Sequence, residues 1–230
     1  MMNIKKLTIP FLALLIFLTG CKTEQQSMIG FSLNNQIDSV SYSLGMNIAS
    51  GIKSQGMDSV NQIALNKAFE DVFANKDKLI TEENSQQLLN RYFQELAEQV
   101  GEINLKKGEA FLQKNKTKEG VFTTASGLQY KIIGKGSGPK PALTDQVTTH
   151  YKGITIEGET FDSSLDRGEP ATFAVNGLIK GWTEALQLMS VGSKWQLFVP
   201  SDLAYGQNGA GAKIGPNSVL IFELELLGIN

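Results

Sequence analysis

One cysteine, Cys21, and one histidine, His150, stand among 230 residues. A Cys-His nucleophile pair, a thiolate cluster or a multi-histidine metal site therefore lacks its parts, and no metal or cofactor is expected. Charge of either sign is not in excess. The 21 basic residues face 23 acidic ones, a formal charge of −2, which gives a phosphate backbone no electrostatic hold and sets nucleic acid aside as a partner. The apolar run Leu7 to Leu18 covers 12 residues, about 18 Å as a helix, short of a ~30 Å hydrocarbon core. What is present is a chain 41% apolar and 19% charged, enough for one large or two small cores.

That short apolar run follows Lys5 and Lys6 and ends in Thr19-Gly20-Cys21, the order of a basic n-region, an h-region and a small-residue cleavage site. Residues 1–20 read as an export signal. Leu18-Thr19-Gly20-Cys21 also resembles the bacterial lipobox, which implies that Cys21 becomes the acylated amino terminus and ties the protein to a membrane. An ordinary secretory signal that leaves a stray thiol is the competing reading. Several acyl chains at ~0.8 kcal/mol per buried methylene would hold a soluble domain on a bilayer almost permanently. Loss of Lys5 and Lys6 takes 21 basic residues to 19 against 23 acidic ones, so the mature chain carries −4. Residues 21–36 show no sustained period and read as a flexible tether.

A composition break divides the rest. Of 23 glycines 16 lie from Gly120 onward, with five of six prolines and both tryptophans. Before it the period is helical: Val40, Leu44 and Ile48, then Ile63, Ala64, Ala68 and Val72 after a break at Gly56-Met57-Asp58. Thr81 with Glu82 and Glu83 behind it has the form of an N-cap with acids in the first turn. Leu89, Tyr92, Phe93, Leu96, Val100 and Ile103 then mark one face of a helix that no proline interrupts between residues 81 and 118. Gly101 and Gly108 weaken its second half. Such a helix needs a partner for its stripe: either a second copy, making residues 37–118 a dimerisation region, or the C-terminal half of the same chain.

From Leu128 the period is two: Leu128, Tyr130, Ile132; Val147, Thr149, Tyr151; Trp195, Leu197, Val199; Leu220, Phe222, Leu224, Leu226. These predict antiparallel strands with one buried face. Trp182, Leu186 and Met189 mark one short helix, so residues 119–230 form a twisted sheet on a single helix and the whole chain is α+β. Tyr151, Phe161, Phe173, Ile179, Trp182, Tyr205 and Phe222 recur beside Asp162 and Arg167. They are either core or the lining of an apolar pocket with a few fixed polar groups; the turn and glycine-rich settings of Phe161-Asp162 and Tyr205 favour the pocket. His150 alternates to the face opposite Tyr151 and reads as structural.

The run Val147 to Gly153, Phe161-Asp162-Ser163-Ser164 with Arg167, Gly181-Trp182, Met189-Ser190-Val191-Gly192, Ala204-Tyr205-Gly206 and Phe222-Glu223-Leu224-Glu225-Leu226 together resemble the FKBP family of peptidyl-prolyl isomerases. With the lipobox, the helical region resembles exported members of the macrophage infectivity potentiator type. The resemblance implies a half-barrel sheet wrapped on one helix, no cofactor, proline-containing peptide substrates, macrolides as inhibitors, a homodimer and a lipid-anchored place in the bacterial envelope, on the outer membrane facing the periplasm. It also implies that proline inserts over Trp182 between Tyr151, Phe161, Phe173, Leu178, Ile179, Ile214 and Phe222. The Ile179 N–H and the Tyr205 hydroxyl would then bond peptide carbonyls, with Asp162 beside the twisting bond. Arg167 would pair with Asp162 and Tyr151. Ala171, Ala210 and Lys213-Ile214-Gly215-Pro216 depart from commoner family residues at the rim, which bears on substrate preference and macrolide affinity. A non-catalytic chaperone or peptide-binding lipoprotein using the same pocket or the dimer cleft is the alternative expectation.

Overall fold

The computed structural model describes residues 32–230; the export signal, the lipobox cysteine Cys21 and the tether as far as Phe31 lie outside them. The chain divides into two units with the boundary after Tyr42, within the first helix. That helix, α1 (Gln36–Ser54), buries no residue and is entered through Asn35, whose side chain accepts from the Asp38 N–H. Gly56 follows it at φ +89°, a left-handed turn that glycine adopts without strain. In α2 (Gln62–Phe73), Asn61 caps the amino end by accepting from the Ile63 and Ala64 N–H groups. Ile48 and Ile52 of α1, Met57 of the connection, and Leu65 and Phe69 of α2 line a groove of about 220 Å³.

Thr81 caps α3 (Glu82–Asn115), its hydroxyl accepting from the Asn84 N–H, and Glu82 and Glu83 occupy the first turn as the macrodipole favours. The helix runs through both glycines without interruption. Its fully buried positions are Gly101, Gly108 and Asn115, seven residues apart and therefore on one stripe, whereas Ile103 on the apolar pattern is exposed. The buried stripe belongs to small and amide residues because it meets the C-terminal half at backbone distance: a Cβ on Gly108 would come within 2.6 Å of Val219 Cγ2. Asn115 donates to Gln129 Oε1, Gln129 donates to the Leu112 carbonyl, and Phe111 packs on Phe198. Part of the long helix thus finds its cover within the same chain.

Seven strands follow: β1 (Val121–Thr123), β2 (Gln129–Gly134), β3 (Gln146–Thr155), β4 (Thr160–Ser163), β5 (Ala171–Ala174), β6 (Lys194–Val199) and β7 (Leu220–Ile229). Their order is β1-β2-β6-β7-β3-β4, with β5 also on β3, and every pairing is antiparallel. Burial alternates along β3, so Val147, Thr149 and Tyr151 face inward. Across that face lies α5 (Lys180–Leu188), which contributes Trp182, Ala185 and Leu186 to the core, with Met189 behind them. A single turn, α4 (Ser164–Arg167), connects β4 to β5. The architecture is α+β, helices first and an antiparallel sheet after. The long strands stand where the period of two puts them; β1, β4, β5 and α4, at three or four residues, are too short to show a period.

Candidate active site

The edge of β3 is shared. Its first half pairs with β5 and its second half with β4, which sets Phe173 against Val147 and Phe161 beside Gly153 and Ile154, with Tyr151 between them along the strand. Trp182 is 4% exposed. Tyr151 meets its ring edge-to-face at 5.1 Å, Phe222 at 5.2 Å and Phe173 at 6.0 Å, and Phe161 meets Phe222 at 5.5 Å. Such contacts contribute about 0.5–1.5 kcal/mol each beyond area burial and hold the rings at fixed angles. Ile214 is buried in the same cluster, with Leu178 and Ile179 packed against it. The Trp182 Nε1 donor is buried without a partner among the described residues.

A polar group sits on the rim. The Tyr151 hydroxyl donates to Asp162 Oδ2, Arg167 Nη1 donates to Asp162 Oδ1, and Arg167 Nη2 donates to the Tyr151 oxygen. The Arg167 guanidinium also lies over the Tyr151 ring, 5.5 Å from its centroid. Burial by itself would raise the Asp162 carboxyl, but the Tyr151 and Arg167 hydrogen bonds and the guanidinium charge outweigh it, and the pKa falls below the ordinary carboxylate value. The stability that this pairing contributes is present above the ordinary carboxylate pKa of ~3.9 and is lost as pH falls through the lower folded value. Burial raises the Tyr151 hydroxyl, and burial followed by the Asp162 charge raises that of Tyr205. At neutral pH the rim therefore holds one paired carboxylate and two neutral phenols.

Ile179 is the residue before α5. Its carbonyl accepts from the Trp182 and Thr183 N–H groups, while its own N–H meets no acceptor among the described residues. Tyr205, 39% exposed, opens the loop between β6 and β7. Tyr151, Phe161, Phe173, Leu178, Ile179, Trp182, Ile214 and Phe222 thus fall in one cluster, Asp162 and Arg167 are joined to it through Tyr151, and Tyr205 is near enough to Asp162 to feel its charge. His150 is turned away from it, with Nδ1 3.1 Å from Ser164 Oγ. Of the rim departures, Ala171 and Ala210 pack on the cluster, and Lys213 Nζ donates to the Thr160 carbonyl, tying the loop to β4.

Ser164 supports the site, although the sequence assigns it no role of its own. Its hydroxyl accepts from the Tyr151 N–H and lies 3.2 Å from the Tyr151 carbonyl, fixing the strand that carries the phenol. Its signal in the sequence is its place in the run Phe161-Asp162-Ser163-Ser164. These parts can desolvate a neutral, planar group, grip it with a free N–H and a phenol, and set a fixed carboxylate beside it. No side chain in the cage is an activated nucleophile.

Comparison with known proteins gives a consistent answer. The model of the FKBP-type peptidyl-prolyl cis-trans isomerase family matches residues 138–227, and that of the domain amino terminal to FKBP-type peptidyl-prolyl isomerase matches residues 37–132. The outer membrane protein MIP of Legionella longbeachae is 44% identical over 86% of this chain and 88% of its own length. The FKBP-type 22 kDa peptidyl-prolyl cis-trans isomerase of Escherichia coli K12 is 42% identical over 82% of this chain and 93% of its own. The crystal structure of FkpA from Escherichia coli superposes with a TM-score of 0.62 at 33% identity, over 86% of this chain and 99% of that one.

Proposed function

The chain belongs to the FKBP-type peptidyl-prolyl cis-trans isomerases, and from that membership we infer that X-Pro rotation takes place in the aromatic cage around Trp182. Rotation breaks no sigma bond. Its barrier, about 18–20 kcal/mol, is the amide resonance lost when the bond twists. The planar amide is charge-separated and favoured by water, and the twisted one is not, so a dry cage lowers the barrier by disfavouring the planar state. Proline stacks over the Trp182 ring between Tyr151, Phe173 and Phe222. The Ile179 N–H and the Tyr205 hydroxyl hold carbonyls of the peptide, and the Asp162 carboxylate, kept charged by Arg167, orients the bond as it turns. Arg167 acts through Asp162 and Tyr151 and is a positioning residue. The observation that carries this reading is the edge-to-face cage with its paired carboxylate and free N–H at one rim.

A protease-coupled assay on an X-Pro peptide tests it. Tyr205→Phe and Asp162→Ala are each expected to lower kcat/KM about tenfold, the value of one hydrogen bond realised in the transition state. Wild-type activity in both variants would place the reaction elsewhere.

The remaining architecture is part of the same proposal: residues 1–20 export the chain, Cys21 anchors it by lipid to the bacterial envelope, on the outer membrane facing the periplasm, residues 37–118 dimerise, and residues 119–230 isomerise exported clients. The Legionella relative is named an outer membrane protein, and no helix among the described residues is long and apolar enough to cross a membrane. Support for the dimer is the apolar surface left open in the N-terminal region, where Ile63 and Phe73 of α2 and Leu79 of the connection to α3 are 83%, 80% and 84% exposed, a grouping of exposed large apolar side chains of the kind that marks an interaction surface. Sedimentation equilibrium of residues 22–230 is expected to give twice the chain mass at micromolar concentration; a monomer refutes the dimer.

A further inference from the structure

The loop from Tyr205 to Val219 carries two parts of the cage, the Tyr205 phenol and the Ile214 side chain. Its tip is held by itself: Ala210 and Ile214 exchange backbone hydrogen bonds of 2.8 and 3.2 Å. Its neck is held from outside the sheet. Asn217 sits at φ +55° and its N–H donates to the Gly206 carbonyl, one residue from Tyr205. The same asparagine donates from Nδ2 to the Gly101 carbonyl of α3, 3.2 Å away, and Asn104 on the next turn returns a 2.8 Å bond from Nδ2 to the Pro216 carbonyl. Helix and neck are in tight contact at residue 101, where a Cβ would lie 3.3 Å from Pro216 Cβ and 3.2 Å from Asn217 Nδ2, so that a side chain there would press on the neck. The helix is itself fixed to β2 by the buried Asn115–Gln129 pair. A hydrogen-bonded path therefore runs from β2 through α3 to the backbone beside Tyr205.

We propose that Asn104 and Asn217 are positioning residues for the isomerase reaction, clamping the loop neck to α3 so that Tyr205 and Ile214 stand at the cage. This rests on the reading of the cage as the X-Pro site. It makes the second half of α3 part of the catalytic apparatus, although no atom of it reaches the pocket. Hydrogen bonds of this kind matter to a rate because a hydroxyl about 1 Å out of place loses much of its transition-state contact.

A cycle of variants of residues 22–230 separates positioning from mere support. Asn104→Asp keeps the size of the side chain, removes the donor and turns an oxygen toward the Pro216 carbonyl. Asn217→Gly keeps the positive φ and removes the other donor. Either change is expected to lower kcat/KM on an X-Pro peptide about fivefold, the value of one neutral hydrogen bond, and the pair together scarcely more than one alone. In a Tyr205→Phe background the same changes are expected to cost less than about twofold, because the hydroxyl they position has gone and only the Ile214 contact remains to be lost. Equal losses in both backgrounds, or no loss in either, overturn the proposal; a helix that only stabilises the fold produces the former. If Tyr205→Phe alone leaves activity intact, the clamp has no hydroxyl to position and is overturned; the pocket reading itself fails only if Asp162→Ala is also fully active.

Discussion

Trp182→Ala is expected to reduce kcat/KM on X-Pro peptides by about a hundredfold and to destabilise the protein by about 3–5 kcal/mol. The ring is 4% exposed, and Tyr151, Phe173 and Phe222 all rest edge-on against it, so truncation removes the floor and three aromatic contacts together. The neighbours cannot close the gap, because Tyr151 is held by Asp162 and Arg167 and the strand beneath it by Ser164. Trp182→Phe separates the two effects. It keeps a ring on the floor and discards the Nε1 donor that is buried without a partner, a group whose desolvation costs about 1–3 kcal/mol. The phenylalanine variant is thus expected to lose far less stability than the alanine variant, and about tenfold in kcat/KM. Urea unfolding and two-dimensional exchange NMR read the two quantities; an alanine variant within a factor of three of wild type would mean that proline does not stack there.

Part of the cage was legible in the sequence because Phe161-Asp162 and Tyr205 stand in turn and glycine-rich settings, where core residues are less expected, and in recognisable runs. Tyr151, Phe173 and Phe222 lie within strands and Trp182 in a helix, where pattern alone reads them equally as core. The pairing of Arg167 with Asp162 and Tyr151 followed from the cost of leaving a carboxylate alone beside apolar rings. The supports were not legible. Ser164, Asn104, Asn115, Gln129 and Asn217 are uncharged polar residues whose importance lies in one or two directed bonds, and such bonds leave no period. The face of α3 was misleading for a related reason. Apolar spacing selects the side chains that seek cover, but the stripe that meets the C-terminal half is Gly101, Gly108 and Asn115, chosen for closeness of approach and not for hydrophobicity. Glycine in mid-helix costs about 1 kcal/mol relative to alanine. Two of them signalled a weak helix in the sequence and mark close contacts in the structure, where an added Cβ would collide with Val219 at Gly108 and press on Pro216 at Gly101.

Close approach also sets the second large effect. Gly153 lies opposite Asp162 on β4 and Phe222 on β7, and its φ is not in the left-handed region, so the backbone would accept any residue. Space is what forbids one. A Cβ there would stand 2.5 Å from Phe161 Cζ and 2.9 Å from Phe222 Cε1, in the angle between two rings that meet edge-to-face at 5.5 Å. Gly153→Val must therefore displace Phe161, and with it the next residue, Asp162, whose carboxylate is tied to Tyr151 and Arg167. The expected cost is about 1–3 kcal/mol of stability from overpacking and about a fiftyfold fall in kcat/KM as wall and carboxylate shift together. Gly158 provides the contrast. It sits at φ +91° in the β3–β4 turn with nothing within 4 Å of an added Cβ, so Gly158→Ala strains the backbone by about 1 kcal/mol and leaves the cage alone. Measured side by side, the two glycine variants are expected to differ by at most about 2 kcal/mol in stability and more than tenfold in turnover. If they lose activity in proportion to stability, Phe161 and Asp162 are no closer to the reaction than the turn that joins their strand to β3.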